Sequence, residues 1–450
     1  MKACCSYEKR NWVVKCLYLL CLSVILFLSC GKDDLPNVLL ISLDTCRADH
    51  LSVYGYHRQT SPFIDELSSR GIRYENAFIN TCCTLSSHTT ILSSLYQETH
   101  KVAYFEGHKG AVPDSVVMIQ EILRRNGYVT LAVTDGGLAG QKYGFGRGFD
   151  YFDDIGGGVL SGTRKIVDLI NLVRQQQNRR KPIFAFYHTY ELHNPYAPPA
   201  EYTDIFGHFE SSFSPTNENL LKFRQRARDL KEEDIESLVA MYDAEIRYTD
   251  NTLKSMFDKL EKVGFLENCL VILTSDHGEE FGEHGGLLHG DLYDEQLHVP
   301  LIITGTKIPI GQVDAQVVSS VDIAPTVLGY LELPVPEKME GTNLLAAGNS
   351  KSEAAVFSQI GKSRYSIRTA RWKLIETVNP LNLELYDVQK DTYEKEDIAV
   401  NEPRVLSQLY RRLREWQNKH RFAPMRKKVP KKVRLDRREI EQLKALGYIK

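Results

Sequence analysis

The sequence lacks a disulfide framework, a strong charge imbalance and internal repeats. It has nine cysteines in 450 residues, but five lie before residue 31, and the other four match neither a zinc knuckle nor a disulfide-rich domain. The net charge of -2 gives no argument for binding nucleic acid. The lack of repeats argues against a solenoid or a propeller. What remains is an ordinary globular composition, with 42% hydrophobic and 25% charged residues.

The first 30 residues have the pattern of an export signal. Basic residues precede a nearly apolar stretch at 16–29, which is shorter than the roughly 20 residues that a membrane-spanning helix needs. The stretch ends at Cys30, and residues 26–30 (LFLSC) resemble the lipobox at which bacterial lipoproteins are cleaved and acylated. We therefore expect an exported protein, a periplasmic or outer-surface lipoprotein anchored in the membrane. The alternative is an N-terminal anchor that is not cleaved.

The region 36–350 alternates short apolar runs with helical patterns. Runs of this kind at 129–133, 183–187 and 301–303 are typical of buried parallel strands. An amphipathic helix is predicted from about 233 to 260. The alternation predicts an α/β domain in which a mostly parallel sheet lies between layers of helices.

The pattern changes after residue 350. From 351 to 425, segments of alternating hydrophobicity followed by a helical pattern predict a small C-terminal α+β subdomain with an antiparallel sheet. Residues 426–450 form a basic tail, with eight basic residues between 426 and 438. A charge run of this kind predicts a solvated segment.

Two acidic residues follow apolar runs that read as buried strands. One run ends at Asp44, and another ends at Asp276, which is followed by His277. Ligands of open α/β sheets gather beyond the carboxyl ends of such strands. A turn rich in serine, threonine and cysteine lies between the two runs, at 81–88. Two carboxylates, an imidazole and a hydroxyl that converge there predict a cation site with a nucleophile beside it.

Five motifs extend over nearly the whole chain. They are NVLLISLDTCRAD (37–49), TLSSH (84–88), HNPY (193–196), TSDHG (274–278) and ELYD (384–387). Together, and in this order, they resemble the sulfatase family of the alkaline phosphatase superfamily. The resemblance implies a central, mostly parallel sheet sandwiched by helices, a small C-terminal subdomain and a divalent metal at the nucleophile. It also implies an enzyme that hydrolyses sulfate or phosphate esters.

The resemblance assigns Thr84 to the position of the nucleophile. Sulfatases have Cys or Ser there, in Cys/Ser-x-Pro-x-Arg, and convert it to formylglycine. In this chain Ser86 replaces the Pro, His88 replaces the Arg, and Cys83 is one residue out of register. A sulfated threonine is cleaved poorly by water, whereas a phosphorylated threonine can be hydrolysed with the help of a metal. The sequence therefore favours phosphomono- or diesters over sulfate esters.

The resemblance also implies a set of metal ligands. The expected ligands are Asp44, Thr84, Asp276 and His277. The histidine replaces the usual asparagine of sulfatases, and an imidazole among carboxylates favours Zn²⁺ or Mn²⁺, with Ca²⁺ or Mg²⁺ as alternatives. A second metal could be held by Glu191, His284 and His289.

Further residues are expected to contact the ester. His193 and His289 are the candidates for the general acid that protonates the leaving oxygen. His88 and Ser87 are candidates for substrate binding, since a helix is expected to begin after the nucleophile and to direct its N–H groups at the transferred group. The alternative for His88 is a residue at the start of that helix with no chemical role. Arg47 either caps the turn after its strand or reaches an anionic ligand.

These features favour a metal-dependent ester hydrolase that works through a covalent Thr84 intermediate. The alternatives are a sulfuric ester hydrolase, either a true sulfatase or one independent of formylglycine, and a phospho-headgroup transferase of the cell envelope. A binding protein that keeps the fold without catalysis is disfavoured by the intact ligand set. The expected substrate is a small-molecule, lipid or glycan ester. The expected membrane contact is the N-terminal lipid anchor, and no nucleic acid is expected as a partner.

Overall fold

The protein is described here from a computed structural model. The described residues are 35–102, 110–176, 181–207, 213–346, 354–421, 433 and 435–449. The predicted export signal at 1–30 lies outside them. Among the helices of the described ranges, none combines the length and the apolar character needed to cross a bilayer.

A central eight-stranded sheet organises the region up to residue 346. Its strands are β1 (Asn37–Leu43), β2 (Gly71–Phe78), β3 (Val129–Val133), β4 (Tyr151–Asp153), β5 (Ile183–Thr189), β6 (Cys269–Thr274), β9 (Leu301–Thr304) and β10 (Gln312–Ser319). A separate hairpin pairs β7 (Glu280–Phe281) with β8 (Leu287–Leu288). The strand order of the large sheet is β10-β2-β9-β6-β1-β5-β3-β4. Only β9 runs antiparallel to its neighbours, so the sheet is mostly parallel, as predicted.

Helices cover both faces of this sheet. The α-helices are α1 (Pro62–Ser69), α2 (Thr84–Ser93), α3 (Gln97–His100), α4 (Ile119–Arg125), α5 (Gly158–Gln176), α6 (Ala200–Phe206), α7 (Asn217–Phe223), α8 (Glu232–Lys262), α9 (Asp294–Leu297), α10 (Ile323–Tyr330), α11 (Pro403–Arg421) and α12 (Arg437–Ala445). Short 3-10 helices cover Ala48–His50, Ser52–Tyr54, Gly137–Ala139, Gln141–Tyr143, Ala227–Asp229 and Ser320–Asp322. The long amphipathic pattern predicted at about 233–260 is confirmed as α8.

The apolar run of β1 shows why the sheet must be sandwiched. Val38 and Leu40 point into one core, which they share with α2, α4 and α10. Leu39 and Ile41 point into the opposite core, which they share with α1, α5 and α8. Successive residues of a strand alternate between faces, so a run that is apolar at every position needs cover on both sides. Each such buried side chain contributes roughly 1.5–3 kcal/mol.

A small antiparallel sheet follows the central domain. Its strands, in spatial and sequence order, are β11 (Val356–Ile360), β12 (Arg364–Arg368), β13 (Trp372–Thr377) and β14 (Asn382–Asp387). The apolar face of α11 packs on it through Leu409, Leu413 and Trp416. The predicted antiparallel subdomain is therefore confirmed, while the boundary predicted near 350 falls in 347–353, outside the described residues.

Residues 435–449 are folded onto the protein, while Arg437 and Arg438, the described basic residues of the run that predicts a solvated segment, are exposed. The segment contains the helix α12, and the side chain of Leu443 is buried in the main core. The helix alternates charged and apolar residues at helical spacing, so it can bury one side while its basic residues stay exposed. The rest of the basic run, at 426–432 and 434, lies outside the described residues.

Candidate active site and metal centre

The sheet topology brings the two strand-end acids together. Strand β1 lies between β5 and β6, with Ser42 opposite both His188 and Thr274. Asp44 therefore leaves β1 at the same edge of the sheet at which Asp276 follows β6. Both carboxylates are completely buried. This edge, formed by the carboxyl ends of parallel strands, is where ligand sites of such sheets lie.

Thr84 is the first residue of α2 and completes this centre. Its Oγ1 lies 3.4 Å from Asp44 Oδ2 and 3.4 Å from His277 Nε2. Ordinary O–H···O hydrogen bonds are shorter, so these contacts describe groups that surround a common space. The threonine is fully buried, with the side chains of the predicted ligands around it.

Three atoms around Thr84 are suited to bind a cation. Asp44 Oδ1 and Asp276 Oδ2 are buried, and neither has a hydrogen-bond partner in the part of the chain that the structure describes. The Nδ1–H of His277 donates to the Gly278 carbonyl at 3.0 Å, which leaves Nε2 with its lone pair directed at the carboxylates. That Nε2 lies 3.5 Å from Asp276 Oδ2 and 4.0 Å from Asp44 Oδ1. Buried acceptors facing one another fit a metal ion, and the donor set of carboxylate, imidazole and hydroxyl fits a divalent one.

The electrostatics of the acid pair agree with this fit. Burial raises the pKa of Asp44 well above its usual range, and the neighbouring charge of Asp276 raises it further. Burial acts in the same direction on Asp276, but the imidazoles of His277, His88 and His188 hold its pKa at about 2. Without a cation, Asp44 is therefore the member of the pair that takes up a proton.

Two further histidines, His188 and His88, hold the residues of the centre in place. The Nε2–H of His188 donates to Asp44 Oδ2 at 3.1 Å, which fixes the carboxylate so that Oδ1 faces the open centre. The Nδ1–H of His88 donates to the Thr84 carbonyl at 2.9 Å, and its Nε2 accepts from Ser42 Oγ at 2.9 Å. Both nitrogens of His88 are thus engaged, and the ring is fully buried. His88 is placed to order the start of α2, which contradicts its predicted role in substrate binding.

Two other residues predicted to bind substrate are also engaged elsewhere. The hydroxyl of Ser87 donates to the Asp276 carbonyl at 2.7 Å, so it ties the start of α2 to the end of β6. The buried guanidinium of Arg47 pairs with Asp49 at 2.7 Å and with Glu283 at 2.5 Å. Of the two roles considered for Arg47, the structure supports that of holding the turn after β1, because its charge is already paired inside the protein.

His193 and His289 lie beside the centre, as expected for acid–base residues. Their ring centroids are 5.2 Å apart, and the ring of His289 is 4.2 Å from that of His277. The Nδ1–H of His193 donates to the Asn194 carbonyl at 2.9 Å, and that of His289 donates to Glu279 at 3.0 Å. Burial, with the neighbouring imidazole, lowers the pKa of His193 to about 4, so the ring is neutral at rest.

Tyr448 was not expected at this site. Its hydroxyl lies 3.0 Å from Thr84 Oγ1 and 3.1 Å from His193 Nε2. The sequence offered one signal for it, because Leu446-Gly447-Tyr448 resembles the end of the sulfatase pattern, but these residues end a segment that otherwise reads as a basic tail. Burial raises the pKa of this phenol well above its usual range, so its hydroxyl stays protonated.

The structure does not bring together Glu191, His284 and His289, the residues that the sequence suggested for a second metal. Glu191 accepts a hydrogen bond from the Val159 N–H at 2.8 Å. His284 uses both ring nitrogens, one toward Glu295 at 2.8 Å and one toward the Glu394 carbonyl at 3.1 Å. Neither joins His289 in the metal-ligand clusters found among the described residues. Three such clusters occur among the described residues, and the one at Asp44, Asp276 and His277 is the candidate cation position, because it lies at Thr84 and contains two carboxylate oxygens without a hydrogen-bond partner in those residues.

A mostly parallel sheet that gathers acids, an imidazole and a hydroxyl at one edge, followed by a small antiparallel sheet, defines an ester hydrolase of the alkaline-phosphatase-like class. The model of the Sulfatase family matches residues 36–333. That of the N-sulphoglucosamine sulphohydrolase C-terminal region matches 282–419. The chain belongs to the sulfatase family, whose members are metal-dependent.

Named relatives and solved structures agree with this placement. The chain is 25% identical to arylsulfatase K of Bos taurus over 458 residues, covering 85% of this chain and 81% of that protein. It is 22% identical to the N-acetylglucosamine-6-O-sulfatase of Bacteroides thetaiotaomicron over 466 residues, covering 81% and 82%. In structure it is similar to a phosphonate monoester hydrolase of Agrobacterium radiobacter, with a TM-score of 0.70, 22% identity and coverage of 86% and 96%. It is also similar to a protein solved with its substrate D-glucosamine-2-N,6-O-disulfate, with a TM-score of 0.68, 20% identity and coverage of 86% and 98%.

Proposed function

We propose that this enzyme hydrolyses phosphomono- or diesters through a covalent ester on Thr84. The observation that carries the proposal is the position of Thr84 Oγ1, which is 3.4 Å from Asp44 Oδ2 and from His277 Nε2, in a buried centre where Asp44 Oδ1 and Asp276 Oδ2 have no hydrogen-bond partner among the described residues. A divalent ion held by Asp44, Asp276 and His277 would act as a Lewis acid and favour the alkoxide form of the threonine. Zn²⁺ and Mn²⁺ suit this ligand set best.

The residues of the chain account for both halves of the reaction. Thr84 Oγ1 loses its proton to His193 or His289 and forms a bond to phosphorus while the bond to the leaving oxygen breaks, and the same histidine gives the proton to that oxygen. Water then forms a bond to phosphorus, the bond to Thr84 Oγ1 breaks, and the threonine recovers its proton. His188 donates a hydrogen bond to Asp44, and His88 donates one at the start of α2. These contacts hold the nucleophile and the acids in their relative positions.

The nature of the nucleophile favours phosphorus over sulfur. A formylglycine enzyme expels sulfate through its gem-diol, and a threonine ester has no equivalent route. The neighbouring thiol does not replace it, because burial raises the pKa of Cys83 to about 11 even though nearby backbone N–H groups lower it. A buried thiol of this kind is a weak nucleophile near neutral pH.

Sulfate ester hydrolysis is the second candidate, and the relatives favour it. As their names state, arylsulfatase K and the N-acetylglucosamine-6-O-sulfatase act on sulfate esters, the latter on a sulfated sugar. A fold neighbour is named as a phosphonate monoester hydrolase, so both chemistries occur on this scaffold. For either chemistry we propose a glycan, lipid or small-molecule ester as substrate, met outside the cytoplasm by a protein that the N-terminal lipobox would anchor.

The decisive experiment compares three esters and two variants. Full-length protein loaded with Mn²⁺ or Zn²⁺ is offered an aryl phosphate, a bis-aryl phosphate and an aryl sulfate. We expect turnover of a phosphoester, a loss of at least about 10⁴-fold in kcat for Thr84→Ala, and near-normal rates for the matched control Cys83→Ala. Mass spectrometry of the peptide 71–101 from a quenched reaction should show phosphorylated Thr84.

The other outcomes assign the other functions. Turnover of the aryl sulfate alone would support the second candidate and reject the phosphoester preference. Formylglycine in the peptide would make the protein a true sulfatase. A Thr84→Ala variant with full activity would remove the threonine as nucleophile. Formation of the Thr84 ester whose release needs an added alcohol, rather than water, would indicate the envelope transferase.

A further inference from the structure

The C-terminal segment 435–449 is fastened to the rim of the active site. Asp436 caps α12 by accepting from the Glu439 N–H at 3.0 Å. Lys142 pairs with Asp436 at 3.1 Å and also with Glu439. The guanidinium of Arg438 donates to the Asp154 carbonyl at 3.0 Å. These contacts fix the helix against the loops that follow β3 and β4.

The last turn of the segment then enters the site. The amide of Asn217 donates to the Ala445 carbonyl, and Leu446 packs so close to Gly137 that a Cβ there would lie 2.9 Å from it. Gly447 adopts a φ of +75°, a conformation that favours glycine, and so reverses the chain direction. The reversal lets the side chain of Tyr448 point back toward α2. The segment therefore holds the Tyr448 hydroxyl in contact with the Thr84 hydroxyl.

The hydrogen-bond directions around Tyr448 can be assigned. His193 donates its Nδ1–H to the Asn194 carbonyl at 2.9 Å, so its Nε2 is an acceptor. The Tyr448 hydroxyl, 3.1 Å away, is then the donor to that nitrogen. A phenol has one proton, so toward Thr84 Oγ1, at 3.0 Å, its oxygen accepts. The three groups form one directed chain, from Thr84 through Tyr448 to His193.

We propose that Tyr448 is a catalytic residue that relays the proton of Thr84 to His193. The Thr84 proton moves to the phenol oxygen while the phenol proton moves to His193 Nε2, which leaves a nucleophilic Thr84 oxygen, a neutral phenol and an imidazolium. The imidazolium then gives its proton to the leaving oxygen. This inference rests on the proposed role of Thr84, and it selects His193 rather than His289 as the general acid.

A purely structural role explains this arrangement less well. A tyrosine used only for packing needs one partner for its hydroxyl, and a backbone carbonyl is the common choice. Tyr187 is an example, since its hydroxyl donates to the Val159 carbonyl at 3.2 Å. Tyr448 instead contacts two side chains, the nucleophile and a candidate acid. It also reaches them through a terminal segment whose contacts serve to hold it there.

The first test removes the hydroxyl and keeps the ring. We expect Tyr448→Phe to lower kcat by about 10²–10³-fold, with KM changed by no more than a few-fold and the melting temperature nearly unchanged. Tyr187→Phe is the matched control, since it deletes a buried phenol hydroxyl that has no contact with Thr84, and it should keep the wild-type kcat. A truncation after Ala445 should lose activity as Tyr448→Phe does.

The second test does not depend on turnover. In full-length, Zn²⁺-loaded protein with isotope-labelled imidazole nitrogens, Tyr448→Phe should move the Nε2 resonance of His193, and Tyr187→Phe should not. The variant His193→Gln assigns the signal. An unmoved resonance would overturn the relay whatever the kinetics are.

Two kinetic results separate this inference from the proposed function. A Tyr448→Phe enzyme within about 3-fold of the wild-type kcat, beside an inactive Thr84→Ala enzyme, would reject the relay and leave the threonine as nucleophile. A fully active Thr84→Ala enzyme would reject the proposed function itself. The imidazole resonance would then still report whether Tyr448 contacts His193.

Discussion

The facing acids of the active site should make the stability of this protein depend on a divalent ion. Asp44 and Asp276 are both completely buried, and each has one oxygen without a hydrogen-bond partner among the described residues. Nothing in the unfolded chain holds these groups together, so an ion that fits the site binds the folded state alone. Such a ligand stabilises the fold by mass action, by about 2.7 kcal/mol at 100 times its Kd.

The expected shift in melting temperature follows from the size of the folded unit. Residues 37–450 form one unit, and unfolding entropy of about 2.1 cal/mol/K per residue gives it roughly 0.9 kcal/mol/K. A gain of 2.7 kcal/mol then raises the Tm by about 3 °C. Differential scanning calorimetry of chelator-stripped protein, titrated with Mn²⁺ or Zn²⁺, measures this shift directly.

The variant Asp44→Asn distinguishes the stability that the ion contributes from the stability of the metal-free fold. The asparagine keeps an oxygen for the hydrogen bond from His188 but removes a negative charge that burial and Asp276 disfavour. We therefore expect the metal-free variant to be at least as stable as the metal-free wild type, and to lose the shift of about 3 °C. Asp250→Asn is the control. That buried carboxylate accepts from the N–H groups of Phe63 and Ile64 instead, so its variant should keep the shift.

Two results would refute this reasoning. In the first, the wild-type protein shows no stabilisation by Mn²⁺, Zn²⁺, Ca²⁺ or Mg²⁺. In the second, Asp44→Asn keeps the full metal-dependent shift, which would mean that the ion binds elsewhere in the protein.

Two further predictions concern groups around and beyond the centre. His188→Phe keeps a ring but removes the donor to Asp44, and it should weaken metal affinity by about 10–100-fold in calorimetric titration; an unchanged affinity would contradict the supporting role of His188. Burial raises the pKa of Glu394 from 4.5 to about 8, although Lys373 lowers it. The folded state therefore holds an extra proton between these values, and this group makes stability fall as pH rises from 4.5 to 8. Glu394→Gln should remove this pH dependence. In urea unfolding, the free energy of unfolding of the variant relative to that of the wild type should therefore be higher at pH 8.5 than at pH 5. An equal difference at the two pH values would contradict the assignment.

The sequence was sufficient for the strands β1, β3, β5, β6 and β9 and for the acids that follow β1 and β6, although β9 was expected to be parallel and is antiparallel to its neighbours. The strands β1, β5 and β6 are continuous apolar runs, which are typical of strands buried on both faces. Two of these runs are followed by Asp44 and Asp276, so the positions of these acids can be predicted as well. The helix α2 was also predicted, although it was expected to begin after Thr84 and begins at Thr84 itself. Residues whose position is set by a strand or helix terminus can be predicted because local sequence fixes that terminus.

The roles of His88, Arg47 and Tyr448 could not be obtained in this way. Whether His88 faces a substrate or the helix backbone depends on Ser42 of β1, and the charge of Arg47 is paired by Glu283, far away in the sequence, as well as by the nearby Asp49. Tyr448 reaches Thr84 across 364 residues of chain, through a helix whose basic composition resembles that of a solvated tail. Partners that come from remote segments carry no local signal, and side-chain direction is decided by those partners.

Under the proposed function, the departures of this chain from the sulfatase pattern at Thr84 and His277 make sense as one coupled change. A threonine hydroxyl is a much weaker acid than the hydrate of formylglycine, so it needs stronger help to lose its proton. His277, in place of asparagine, directs an imidazole lone pair at the centre and so favours a more strongly polarising ion. Tyr448 and His193 offer the departing proton a path of 3.0 Å and 3.1 Å steps. If the changes at 84 and 277 act together, His277→Asn should lower the turnover of the proposed threonine enzyme and should not make it a sulfatase, because no oxidisable residue with the required neighbours stands at the start of α2.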